Sequence, residues 1–211
     1  MYGRTVQGKT LTFGVSGLLW NRSLVMYDSE TRSLWSHILG KAMSGKLLGT
    51  RLHSLPAVMT DWKSWRAAHP ETTVLKMRRT STDYQSSFQK QRGKFVLAIV
   101  TAGEARAYPF EVLAEKRVVN DQLQQTPVVV TFDAESTQAR MYERQIAGRT
   151  LTFQPVAGKR MTDQETQSTW NAQTGACLEG PFKGQMLPAM AAIVSYAKAW
   201  RRFHPDSAYY R

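Results

Sequence analysis

The sequence predicts an α+β protein, mostly antiparallel β, made of two tandem repeat units that each end in one short helix. Three observations predict it. The chain repeats itself internally, short β-prone apolar runs alternate with turn residues, and a helical apolar period appears only near the end of each unit.

The repeat comes first. Met1-Tyr2-Gly3-Arg4 through Thr12-Phe13 matches Met141-Tyr142-Glu143-Arg144 through Thr152-Phe153 at an offset of 140, with 8 of 13 positions identical. From Asp28 to Pro70 the offset is 135, and 15 of 43 positions are identical without a gap. Asp28, Thr31, Ser33 and Trp35 pair with Asp163, Thr166, Ser168 and Trp170, and Gly40, Gly45 and Gly49 with Gly175, Gly180 and Gly184. Trp65, His69 and Pro70 pair with Trp200, His204 and Pro205. Glycines, tryptophans and a His-Pro held in register do not arise by chance. The segment 14–23 exceeds its counterpart, 154–158, by five residues. The second unit is also preceded by residues 95–140, which have no equivalent before Met1. A fragment or a misplaced start is the expectation, because a unit without its opening strands leaves an edge unpaired.

In chain order, Gly14-Val15-Ser16-Gly17 reads as a tight turn of small residues. Asp28-x-x-Thr31-x-Ser33, recurring at Asp163, reads as an Asx-type turn that caps the following element. Trp35 and Trp170, like Trp65 and Trp200, are expected in the core. Trp62, Trp65, Arg66 and His69 follow the i, i+3, i+4, i+7 spacing of a helix, as do Tyr196, Ala199, Trp200 and Phe203. Each helix should stop before Pro70 or Pro205, leaving a His against its C-terminus. In the second unit, 95–100 is a buried strand by its continuous apolar run, and 104–109 alternates and ends at a Pro, as an edge strand or a strand end would. Asn120-Asp121 reads as a turn before the β-branched strand 127–132, and Ala147-Gly148 as a hairpin tip. The expected organisation is a first unit at 1–75, a basic connector at 76–94 and a second unit at 95–211, or one merged globular domain.

The charge is lopsided. The net charge is +12, and residues 1–94 hold 15 Lys/Arg against 5 Asp/Glu, whereas residues 95–211 hold 13 against 11. The densest stretch is Lys76, Arg78, Arg79, Lys90, Arg92 and Lys94, which contains Tyr84 and Phe88 without regular aromatic interleaving. Such charge favours an anionic partner: an acidic protein, a membrane surface or nucleic acid. The single Cys177 excludes an intrachain disulfide, and His37, His53, His69 and His204 lack metal-ligand spacing. No run reaches the ~18 apolar residues of a membrane helix, and Met1–Phe13 contains no signal-peptide core.

Gly14-Val15-Ser16-Gly17-Leu18-Leu19-Trp20-Asn21, Leu24-Val25-Met26-Tyr27-Asp28, Thr31-x-Ser33-Leu34-Trp35-Ser36, and Glu104-Ala105-Arg106-Ala107-Tyr108-Pro109 with Val119-Asn120-Asp121 resemble the domain-of-unknown-function family 3179. The resemblance runs from Gly8 to Pro205. It implies an exported or lipid-anchored bacterial or archaeal protein, periplasmic or on the cell surface, of two unequal copies. Relatives carry a Cys-Pro segment after a strand of the first copy. The equivalent place in the second copy here is Asp133-Ala134, without Cys. The resemblance brings no activity with it.

No acid/base pair, nucleophile system or metal set is visible, so the sequence leans away from catalysis, and no cofactor is expected. Ser16, Asn21 and Ser23 lie in the segment that distinguishes the first unit and are the leading ligand-binding candidates, followed by Arg106, Asn120 and Asp121. Three functions are expected in turn: an extracytoplasmic ligand- or partner-binding protein, an accessory subunit held through the basic first half, and a nucleic-acid-binding protein.

Overall fold

A buried indole needs an acceptor for its N–H, and that requirement organises both units. Trp35, in the strand Leu34–Ser36, and Trp170, in Thr169–Asn171, are fully buried. Their Nε1 atoms donate to Asp28 Oδ2 at 2.9 Å and Asp163 Oδ2 at 2.8 Å. The same carboxylates accept the backbone N–H of Thr31 and Thr166, whose hydroxyls lie 2.7 Å from Ser33 and Ser168 Oγ. The expected Asx-type turn is present twice, and it is locked to the core by a tryptophan. Gly45 and Gly180 complete it with φ of 86° and 97°, where a Cβ would stand 2.7 Å from the Cα of Ser33 or Ser168.

Around these turns run two antiparallel meanders. The computed structural model, which describes residues 1–74, 90–101 and 103–211, gives the first as Phe13–Trp20, Ser23–Asp28, Leu34–Ser36 and Lys41–Ser44. The second is Phe153–Val156, Arg160–Asp163, Thr169–Asn171 and Cys177–Glu179. Phe13 and Phe153 stand edge-on to Trp35 and Trp170 at 5.5 and 5.8 Å.

Burial pushes the Asp28 carboxyl up, but hydrogen bonds from Trp35, Thr31 and Ser33 outweigh it and hold it below the ordinary carboxylate value. A carboxyl depressed in the folded chain stabilises it above the unfolded value, about 4, and that contribution is lost as pH falls through the folded value. Urea midpoints are therefore expected to drop between about pH 4 and pH 2. Asp28→Asn, which cannot titrate, should flatten part of that drop. Equal slopes for the two proteins would refute the assignment.

The segment 95–143 adds two further sheets. Phe95–Thr101 pairs antiparallel with Ile193–Tyr196 on one side and Glu104–Pro109 on the other, and Ala208–Tyr209 pairs parallel with the last. The strand at 104–109 is thus interior, and of the two readings of its proline the strand end holds, since Pro109 is its last residue. Val118–Leu123, Thr126–Asp133 and Gln138–Glu143 form a three-stranded antiparallel sheet. Asn120 and Asp121 lie inside its first strand rather than in a turn, and the reversal falls at Gln124, with φ of 53°. Hairpins at 5–10 and 145–150 are small and equivalent. Among the described residues no helix is long and apolar enough to cross a membrane.

Two helices stand where the spacing places them, α1 (Trp62–Ala68) and, at the far end of the second unit, Ala197–Phe203. Another, unexpected, lies between them at Phe110–Lys116 and is α2, which makes Ala197–Phe203 α3. Phe110 and Leu113 of α2 are fully buried and enter the largest core with Leu97, Leu123, Val128 and Val130. His69 and His204 end α1 and α3 and lie 4.1 Å from the Trp65 and Trp200 rings. The two tryptophans differ. Trp200 is 1% exposed and packs on Val96, Ala98 and Ala107. Trp65 is only half-buried, because its unit has no such sheet among the described residues, so the expectation of a core place fails for it. Residues 76–89 of the expected basic connector lie outside the described residues.

Candidate functional site

The first-unit extension folds as a β-hairpin. Asn21 and Arg22, with φ of 49° and 63°, form the two-residue tip whose twist suits a hairpin. The ladder shifts register between Val15 and Leu19. In that bulge Ser16 Oγ donates to Val25 O at 2.6 Å and accepts Leu18 N–H at 3.1 Å, and Ser23 is buried. Ser16, Asn21 and Ser23 therefore do not converge: Ser16 shapes the bulge, Ser23 packs, and Asn21 stands at the tip.

Arg106 and Asp121 do come together. Arg106 lies 2.9 Å from Glu104 and 3.6 Å from Asp121, and Tyr108 donates its phenol to Asp121 at 2.9 Å. Burial, then the Asp121 carboxylate, push the Tyr108 phenol far above its ordinary value. The cluster sets one guanidinium against two carboxylates and is hydrogen-bonded internally. Asn120 points to the other face and clamps the neighbouring meander, exchanging two 2.8 Å bonds with the backbone of Phe153.

Asp133, Gln138, Lys159 and Gln173 are among the residues that line a cavity of about 390 Å³. Asp133 Oδ2 accepts from Lys159 at 2.8 Å, Gln173 at 3.0 Å and Ser136 at 2.5 Å. Burial raises the Asp133 carboxyl, but Lys159 and Ser136 more than offset it and keep it ionised. Its polar atoms are engaged with each other. Lys159 also donates to Ser64 Oγ at 3.2 Å, which ties this cavity to α1 of the first unit. Among the described residues no group of three His, Cys, Asp or Glu is placed to hold a metal. Cys177 is buried, and burial raises its thiol.

The outer face of the first meander is different in kind. Leu18, Leu19 and Leu48 are 53%, 70% and 67% exposed, and with Leu34, Leu39 and Met43 they line a groove of about 740 Å³. Contiguous exposed apolar surface is uncommon on a soluble chain and marks an interaction site. The second unit carries Thr169, Thr174 and Lys183 at the positions of Leu34, Leu39 and Leu48, on the same meander. One copy is polar and the other apolar at equivalent places, so the fold does not require leucine there. Residues 1–60 hold seven Lys/Arg and two acids, Asp28 and Glu30. Asp28 is buried, and Glu30 accepts the backbone N–H of Thr12 at 2.8 Å. Seven cations against two carboxylates leave residues 1–60 at +5, and Lys41 lines the groove itself. These leucines were absent from the sequence-based candidates; the signal for them lies in where the two units differ rather than where they agree.

The profile of a family described as "Protein of unknown function (DUF3179)" matches residues 1–91 and, a second time, residues 85–209. No curated protein and no solved structure matches the chain.

Proposed function

The chain belongs to the DUF3179 family, in two copies, and from that premise we propose that it is a non-catalytic, extracytoplasmic binding protein whose first unit receives an acidic, apolar protein segment. The observation that carries this reading is the leucine-lined face of the first meander, apolar at Leu34, Leu39 and Leu48 where the sister unit is polar, within a basic surface. Apolar contact supplies affinity, at about 25 cal/mol per Å² covered. The surrounding Lys and Arg select acidic partners and speed encounter. A protein held in this way is also suited to be an accessory subunit of a larger assembly. The compartment rests on the family resemblance.

An amphipathic peptide of Leu and Glu, and its Leu and Lys counterpart, test the proposal with Trp20 at the groove's rim as the fluorescent reporter. The acidic peptide should bind and the basic one should not. The variant Leu34→Thr/Leu39→Thr/Leu48→Lys, which installs the second unit's residues, should weaken binding about tenfold or more while leaving the melting temperature unchanged. Equal binding of both peptides, or an unaffected triple variant, would defeat the reading. Concentration-dependent self-association lost in the triple variant would assign the face to a second copy instead.

A further inference from the structure

A second cavity, of about 500 Å³, lies between the hairpin tip of the first unit and α3 of the second. Asn21, Arg22, Lys94, Tyr196, Lys198 and Arg202 line it, four cations with no carboxylate among the described lining residues, the nearest shown being Glu111 beside Gly93 at its edge. None of the four is in an ion pair among the described residues, whose salt bridges involve Arg106 and Lys159. Lys94 donates to the neutral Gln91 side chain at 3.3 Å. Lys198 and Arg202 stand four residues apart on α3, a like-charge spacing that destabilises a helix.

The arrangement is built rather than incidental. Arg22 belongs to the five-residue extension and has no counterpart in the second unit, while Arg202 replaces Ala67 of the first. The two additions to the shared plan land on one cavity. The tip is held against α3 by Trp20, whose ring meets Phe203 edge-on at 4.9 Å. Arg22 is thereby carried on a fixed two-residue turn rather than on a loose loop.

We propose that this cavity binds a multiply charged phosphate group. Two guanidinium groups provide the forked donors that suit a phosphate, and two ammonium groups add compact charge. Only a multivalent anion offsets four cations at once, and binding one would relieve the repulsion along α3. The source is either a small soluble phosphate compound or a phospholipid headgroup.

The full chain is titrated calorimetrically with pyrophosphate, and separately mixed with vesicles of phosphatidylcholine with or without phosphatidylglycerol. Saturable pyrophosphate binding with a raised unfolding temperature is expected. The double variant Arg22→Gly/Arg202→Ala, in which glycine tolerates the left-handed tip and alanine copies the first unit, should weaken it about tenfold or more. Without ligand it should be at least as stable as the parent. Lys198→Gln, on the exposed side of α3, gives an independent reading should the double variant misfold. Vesicle binding that needs phosphatidylglycerol and is lost in the variants identifies a headgroup as the source; pyrophosphate binding alone identifies a soluble ligand. Absence of binding in both arms, or variants that bind as the parent does, would overturn the proposal. So would a single-stranded oligonucleotide that binds parent and variants alike and outcompetes pyrophosphate, since the anion would then be read by diffuse charge.

Discussion

Trp170→Ala is expected to cost about 4 kcal/mol, enough to unfold the second meander near body temperature. Two losses combine. The side chain is fully buried between Phe153 and Phe182, so its removal leaves a cavity that a four-stranded sheet of short strands closes poorly. Asp163, also fully buried, loses the N–H that meets its Oδ2 at 2.8 Å. Trp170→Phe separates the two. It keeps most of the volume and removes only the donor, and should cost about 1–3 kcal/mol for the underpaired carboxylate. If the Phe variant proves as damaging as the Ala variant, hydrogen bonding rather than packing dominates. If it is neutral, the carboxylate has found another donor. Denaturant unfolding followed by hydrogen exchange at residues 153–179 would localise either result, since two units need not unfold in one step.

The second large effect is an asymmetry. Trp200→Ala should cost about 3–5 kcal/mol, whereas Trp65→Ala, at the same position of the repeat, should cost about 1 kcal/mol. Both indoles donate to a hydroxyl seven residues on, Trp200 to Ser207 and Trp65 to Thr72, so hydrogen bonding cancels in the comparison. What remains is burial against Val96, Ala98 and Ala107, which only Trp200 has. Equal losses would show that Trp65 is covered by something that half-burial does not reveal.

Much of the architecture was legible in the residues, for reasons that can be named. Asp28, Thr31, Ser33, Trp35 and Gly45 recur at a constant offset because each makes a contact that no other side chain makes, so their register survives where the rest diverges. The short helix α2 was missed, although Pro109 precedes it, Glu111 lies in its first turn and Lys116 in its last. Seven residues are too few for an apolar period to stand out beside flanking strands. The two-residue strand Ala208–Tyr209 left no pattern at all, so the residues alone could not decide whether the proline at 109 marked an edge strand or a strand end. At the candidate site, the extension was located but its polar residues drew attention away from Leu18 and Leu19. Ser16 and Ser23 serve the hairpin's own backbone and packing, whereas the neighbouring leucines are what it shows to solvent. Arg106 and Asp121 were singled out separately, and only the sheet geometry reveals them as one ion cluster with Glu104 and Tyr108.

The pairing of Phe95–Thr101 with Ile193–Tyr196, and of Glu104–Pro109 with Ala208–Tyr209, joins segments about a hundred residues apart. Such a sheet closes late: during synthesis the apolar strand Phe95-Val96-Leu97-Ala98-Ile99 waits, unpaired on one side, until residues 193–209 have left the ribosome. The meander 153–179, whose contacts are local, can assemble in the meantime. The protein thus spends its birth with a sticky strand in hand, and a slow final folding phase with sensitivity to aggregation is built into the order in which its ribbon is woven.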